Sequence, residues 1–233
     1  MKDTAVKTMF ETIASGYDFQ NSFLSLGIDI HWRKVLAAAL HLPERGTVLD
    51  VAIGTAEVAM EICRRHPKAQ VIGIDFSPAM LQVGRGKIRR RQLEQRIRLA
   101  AGDGRRLPIR SASVDAVTIS FGIRNIEEKA QVLAEFHRVL RPGGQLLIMD
   151  FSYPEGPILG RAYRFYLDHL LPPVGNWLSG TDYAYSYLAE SVAGFPSDHE
   201  FLKAISLAGF TGGKVSKLTC GIAKIFASQK ECP

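Results

Sequence analysis

Between Thr47 and Phe151, short unbroken apolar runs alternate with helical patterns, and that alternation leaves few folds open. Thr47–Ala52, Gln70–Asp75, Ile97–Ala101, Val114–Ser120 and Gln145–Phe151 read as strands. None alternates apolar with polar, so each is expected to be buried on both faces, in a parallel sheet covered by helices on two sides. Glu57–Arg65, Pro78–Gln92 and Glu127–Leu140 supply helical patterns between them, the last stopped by Arg141-Pro142-Gly143-Gly144. A further helix, Asp198–Ala208, precedes two more strands, Lys214–Leu218 and Ile222–Ser228. Only Thr219-Cys220-Gly221 separates that pair, which calls for an antiparallel hairpin. The expected fold is α/β, a Rossmann-like, seven-stranded and mostly parallel sheet ending in an antiparallel hairpin.

Two regions escape the alternation. Thr4–Leu26 places Met9, Phe10, Ile13, Tyr17, Phe23 and Leu24 at helical spacing, and a second helix is expected over Trp32–Leu40, before Pro43. Residues 1–42 are thus read as an N-terminal helical lid. Residues 152–195 contain Pro154, Pro157, Pro172 and Pro173 among the aromatics Tyr153, Tyr163, Phe165, Tyr166, Trp177, Tyr183, Tyr185 and Tyr187, with no clear strand. This segment is read as an insertion of short helices within one domain, which a chain of 233 residues accommodates. The apolar runs are too short to span a bilayer, and the first residues lack a signal core, so a cytoplasmic protein is expected. Cys63, Cys220 and Cys232 lie too far apart for a disulfide framework or zinc site. The net charge of +6 is concentrated in Arg85, Lys87, Arg89, Arg90, Arg91, Arg96 and Arg98. That stretch is either a solvated helix face or a contact for anionic membrane; without interleaved aromatics, nucleic acid is not expected as a partner.

In open parallel sheets, ligands bind beyond the carboxyl ends of the strands. After the first strand comes Asp50-Val51-Ala52-Ile53-Gly54-Thr55-Ala56-Glu57, where Asp50 is expected on the cofactor, Gly54 lets backbone approach a ligand and Thr55 offers a hydroxyl. Ile53 and Ala56 make this turn poorer in glycine than a dinucleotide fingerprint. The second strand ends in Asp75-Phe76, an acid placed to accept both ribose hydroxyls of an adenosine-containing cofactor. The third leads to Asp103-Gly104, suited to an adenine edge, and the fourth ends at Ser120. The terminal hairpin disfavours a dehydrogenase, whose second half would continue the βαβ pattern. S-adenosylmethionine is therefore the expected cofactor, with S-adenosylhomocysteine as product.

Several segments resemble the ubiquinone/menaquinone biosynthesis C-methyltransferase family nearly end to end. Tyr17-Asp18-Phe19-Gln20-Asn21-Ser22-Phe23-Leu24-Ser25-Leu26-Gly27 with Trp32, and Ser120-Phe121-Gly122-Ile123-Arg124-Asn125, are the specific elements. Phe136-His137-Arg138-Val139-Leu140-Arg141-Pro142-Gly143-Gly144, Asp150-Phe151-Ser152 and Tyr187-Leu188-Ala189-Glu190-Ser191 with Phe195-Pro196 are also similar. The chain departs from the family at Ile53, where a glycine is common, at Ala56-Glu57 for Gly-Asp, at Gln20 and Asp29 for Met and His, and at Asp150 for Glu. The resemblance implies methyl transfer to a ring carbon of a prenylated quinol, with Thr55, Asp75, Asp103, Gly104 and Ser120 on the cofactor.

Such a carbon attacks only after the neighbouring phenol loses its proton. Arg124 is the expected oxyanion stabiliser, since its pKa is too high for a conventional base. Asn125 is expected to orient the quinol oxygen and Tyr17 to close over the site; His169 and Asp18 are weaker base candidates. The alternatives are O- or N-methylation of another small acceptor, or a non-catalytic subunit of a quinone-biosynthesis complex. Self-association stays open.

Overall fold

The computed structural model describes residues 2–154, 156–179 and 184–232. Three helices open the chain: α1 (Lys2–Ile13), α2 (Tyr17–Leu24) and α3 (Ile28–Ala38). Strands and helices then alternate as β1 (Thr47–Val51), α4 (Glu57–Arg65), β2 (Gln70–Asp75), α5 (Pro78–Arg90), β3 (Ile97–Ala101), β4 (Val114–Ser120), α6 (Lys129–Val139) and β5 (Leu140–Phe151). Helices α7 (Pro157–Phe165), α8 (Leu171–Ser179), α9 (Ala184–Ala193) and α10 (Asp198–Leu207) follow, and β6 (Phe210–Leu218) and β7 (Ala223–Lys230) close the chain.

The sheet order is β3-β2-β1-β4-β5-β7-β6, parallel from β3 to β5, with β7 antiparallel to both β5 and β6. This is the architecture expected from the sequence. The unbroken apolar strands serve two cores, as their patterning requires. On one face Leu36, Ala59, Ile62, Leu81 and Ile88 of α3–α5 pack on Val48, Val71 and Leu147. On the other, Val132, Phe136, Phe201 and Ile205 of α6 and α10 pack on Leu49, Val117 and Ile148. Chain order reverses between β1 and β4, where the parallel crossovers part to opposite sides and leave a crevice at the strand ends.

Several boundaries differ from expectation, α3 for one beginning at Ile28 rather than Trp32. The helical pattern over Thr4–Leu26 is broken at Ala14–Gly16, which turns the chain between α1 and α2. β5 begins at Leu140, because Val114 pairs with Leu140 and Ala116 with Gln145, so Pro142-Gly143-Gly144 forms a bulge in a longer strand. Gly143, at φ +75°, takes the left-handed conformation there. The terminal hairpin is likewise longer, because β6 runs back to Phe210.

The two flanking regions form a third apolar cluster. Met9 and Ile13 of α1 meet Leu167, Leu171, Ala184, Ala189 and Val192 of the 152–195 segment. A π-helical turn at Tyr166–Leu170 joins α7 to α8, immediately before Pro172 and Pro173, which have no N–H for a regular ladder. Of the aromatics noted in this segment, Tyr183 and the side chains of Trp177 and Tyr185 lie outside the described residues.

Candidate functional site

Two cavities meet above the carboxyl ends of β1, β2 and β4. The first encloses about 900 Å³, partly open to solvent, and its wall includes Ala52, Gly54, Asp75, Phe76, Gly104 and Ser120. Its backbone is bent in an uncommon way. Ala52 (φ +52°), Ala56 (φ +67°) and Phe121 (φ +57°) are left-handed non-glycine residues at the ends of β1 and β4. Such strain costs on the order of 1–3 kcal/mol per residue and gathers at functional sites. Gly54, also left-handed at φ +57°, has nothing within 4 Å of where a Cβ would sit, which leaves room against the turn for a ligand. Ile53 does not narrow that room. Its side chain is buried in the core, where a Cβ on Gly73 would lie 2.2 Å from its Cδ1. Glycine at position 73 of β2 thus accommodates the bulk that a glycine-rich turn would lack.

Asp75 binds the turn together: Gly54 N–H donates to Oδ2 at 2.8 Å and Ser77 N–H to Oδ1 at 2.8 Å. Burial pushes its carboxyl up, and those backbone donors pull it partly back. Each oxygen keeps a lone pair, so a diol can still be received on the cavity side. Ser77 caps α5, accepting from Met80 N–H. Asp103 stands on the wall, but its carboxylate is clasped by the Arg105 side chain at 2.7 Å and by the Arg105 N–H, which hold it below the usual carboxylate range. Ser120 lines the cavity, and its hydroxyl is buried with no hydrogen-bond partner.

Two residues expected in contact with the cofactor stand off the wall. Asp50 is 1% exposed beneath the turn, accepting from Thr118 Oγ1 at 2.7 Å, and its Oδ2 has no partner. Burial pushes its carboxyl up to about 7. Thr55 turns its hydroxyl to the lid, donating to Asp18 Oδ1 at 2.5 Å. Strand-end position alone does not decide which way a side chain points, and here Asp18 claims Thr55.

The second cavity, about 1740 Å³ and also partly open, is apolar. Ile13, Leu24 and Trp32 of the N-terminal helices face Leu167, Leu171 and Val192 of the 152–195 segment across it. Phe10, Tyr17, Phe121 and Asn125 border both cavities and so mark their junction. Beside it, Arg124 is fixed by Asp150: Nη1 donates to Asp150 Oδ1 at 2.7 Å and to Phe121 O at 2.6 Å. The guanidinium also lies 5.2 Å from the Phe151 ring centroid. Its Nε is buried without a partner, as is Asn125 Oδ1. Burial pushes the Tyr17 phenol up, against the pull of Arg124, so it stays a proton donor rather than a base. His169 is exposed and packs its ring on Phe165, away from the cavity, and Asp18 is occupied by Thr55 and Lys87. Neither is placed to take a proton there. The sequence reading missed the junction residues Phe10 and Phe121 and the Asp150 clamp; the departure at Asp150 was the one available signal.

A model of the ubiE/COQ5 methyltransferase family matches residues 1–230. A demethylmenaquinone methyltransferase of Deinococcus radiodurans is 43% identical over 98% of this chain and 94% of its own length. A ubiquinone/menaquinone biosynthesis C-methyltransferase of Geotalea uraniireducens is 39% identical over 98% and 97%. Among solved structures, a SAM-dependent methyltransferase of Thermotoga maritima superposes with a TM-score of 0.66 at 20% identity, covering 97% of this chain and 99% of its own.

Proposed function

The chain belongs to the ubiE/COQ5 methyltransferase family, and from that premise we propose that it methylates a ring carbon of a prenylated quinol, in the demethylmenaquinol step or its benzoquinol equivalent. The observation that carries this reading is the junction. A cleft at the strand ends that carries Asp75, Asp103 and Ser120 and a large apolar cavity share Phe10, Tyr17, Phe121 and Asn125, with a buried guanidinium beside them.

The cleft fits S-adenosylmethionine. Its open face at Gly54, the Asp75 carboxylate and the unpartnered Ser120 hydroxyl are matched to an adenosine and its amino-acid tail. Gly54, Asp75, Phe76, Asp103, Gly104 and Ser120 would hold it; Asp50 and Thr55 would support the turn from behind. When bound, the cofactor supplies an activated methyl on a sulfonium leaving group. The protein's task is to position the acceptor and favour its anionic form. Arg124 lines the apolar cavity and provides a fixed positive charge there for the quinol oxygen, with Asp150 and the Phe121 carbonyl holding Nη1. Asn125 orients that oxygen. The phenol proton leaves to solvent water as the Arg124 charge favours the anion. The ring proton of the methylated carbon is likewise lost to solvent as aromaticity returns, and the oxygen regains one proton. Tyr17 covers the junction and excludes bulk water. The apolar cavity takes the prenyl chain.

The same cavity explains how a membrane-embedded acceptor is reached. Among the described residues no helix is long and apolar enough to cross a membrane. Phe23, Leu26, Leu170 and Val174 are exposed around the cavity mouth, Leu26 at 88%. Phe19 and Ile30 extend the apolar surface. The basic stretch is less uniform than its sequence suggests: Lys87 pairs with Glu57 at 2.7 Å, and Arg96 donates to the carbonyls of Cys63, His66 and Ala69. We therefore place the apolar rim on the lipid surface, with the outer arginines as a weaker attraction. Cosedimentation with vesicles should survive raised salt and fail for F23S/L26S; the reverse pattern assigns binding to the basic stretch.

The reaction is tested by supplying methyl-labelled S-adenosylmethionine with a reduced, prenylated demethylnaphthoquinol and a matching benzoquinol. Label should appear on a ring carbon. Label on oxygen, or none with either acceptor, contradicts the proposal.

A further inference from the structure

Asp18 lies one residue from the junction yet faces away from both cavities. Its Oδ1 accepts from Thr55 Oγ1 in the turn after β1 at 2.5 Å, and its Oδ2 pairs with Lys87 Nζ on α5. Lys87 also reaches Glu57 at the start of α4, at 2.7 Å. One carboxylate of the lid is thereby tied to two elements of the cofactor cleft. The bonds are partly sheltered: the Lys87 side chain is 19% exposed and that of Asp18 29%. On the same short helix, Tyr17 borders both cavities and Asn21 lines the apolar one. The residue before α2, Gly16, offers no side-chain cap to its N-terminus.

We propose that Asp18 is a positioning residue that latches α2 to the cofactor turn, so that Tyr17 closes on the acceptor only when the cleft's own geometry is set. Thr55 acts through this latch: its hydroxyl reports the shape of the Gly54 turn to the lid. A chain whose cleft is ordered by the cofactor presents Thr55 and Lys87 together, and Asp18 then holds α2 down. Loss of either bond frees α2 without removing any group from the cleft wall. The inference rests on the cofactor assignment above and is independent of which quinol is used.

The test compares the full-length wild type with Asp18→Asn and Thr55→Val, two nearly isosteric changes at different ends of the same bond. Hydrogen exchange of residues 17–24 is followed with and without S-adenosylhomocysteine, alongside calorimetric binding and steady-state kinetics. In the wild type the ligand should slow exchange in α2 by about tenfold. Both variants should bind it within about threefold of wild type, lose most of that added protection, and show kcat reduced by about tenfold with KM for S-adenosylmethionine little changed. Undiminished ligand-induced protection in both variants, even with a lowered melting temperature, makes Asp18 merely structural and overturns the latch. Binding weakened as much as turnover also overturns it, because Asp18 would then be part of the cofactor site. Failure of the wild type to bind S-adenosylhomocysteine overturns the cofactor assignment and the latch with it.

Discussion

The two cavities are built by opposite means. The floor of the cofactor cleft comes from one continuous stretch of alternating strands and helices, with Phe10 and Tyr17 of the N-terminal helices beside it. The cleft's polar groups are held within that stretch: Asp75 by the Gly54 and Ser77 amides, Asp103 by the side chain and amide of Arg105. The apolar cavity is assembled from segments far apart in sequence, where the N-terminal helices meet the 152–195 segment, and its walls carry few polar groups. A cleft whose ligand never changes can be fixed by local geometry. A cavity for a long apolar tail needs area and an opening, which helices on the rim provide.

If the contrast is right, damage on one side should leave the other intact. The largest effect is expected at Arg124. Arg124→Ala should lower kcat by about 10²–10³-fold, as loss of an oxyanion stabiliser does, with S-adenosylhomocysteine affinity unchanged in calorimetry. The single variant strands the buried Asp150 charge, which destabilises. The double variant R124M/D150N removes both charges and should fold yet remain inactive. On the cofactor side, Asp75→Ala removes the acceptor for two backbone amides and the diol, and should weaken S-adenosylhomocysteine binding by about 10–100-fold. KM for the quinol should move little. A comparable loss in quinol KM would show that the two cavities are not separate.

A third change narrows the acceptor side only. Val192 lines the apolar cavity and is 3% exposed. Val192→Phe should raise KM about tenfold for a long-chain acceptor and less for a short-chain one, with cofactor binding unaffected. The smallest effect concerns Asp50, which touches neither cavity wall. Its folded-state pKa is raised to about 7, so the protonated form suits the native state, and the stability it contributes at low pH is lost as pH rises from about 4 through 7. Asp50→Asn lacks this loss. Its melting temperature should exceed wild type by on the order of 5 °C at pH 8 and approach it at pH 4.5; a pH-independent difference would mean the Asp50 carboxylate is not strained by burial.

The same contrast explains what was legible in the sequence. The strands from Thr47 to Phe151 could be read because buried parallel strands are unbroken apolar runs, and the cleft residues Asp75, Gly104 and Ser120 fall at their ends. Boundaries failed where Gly and Pro had two meanings: Pro142-Gly143-Gly144 looked like a stop and is a bulge within β5. The direction of Thr55 and the exile of His169 depend on partners at long sequence separation, Asp18 in one case and an exposed face against Phe165 in the other. Ile53 looked like a defect in the turn because its compensation, Gly73, lies on a neighbouring strand. The N-terminal lid and the aromatic insertion were legible as separate elements; that they share one apolar cluster follows from packing that no local pattern encodes.

The central claim is that the two cavities meet at Phe10, Tyr17, Phe121 and Asn125 and that methyl transfer happens there. It is tested most directly by a crystal structure with S-adenosylhomocysteine and a prenylated quinone bound together. The account predicts the adenosine on Asp75, the quinone oxygen beside Arg124, and a ring carbon within about 4 Å of the sulfur plus one methyl length, near the in-line distance for reaction. A quinone ring seated away from Arg124, or a sulfur that does not face the junction, contradicts it.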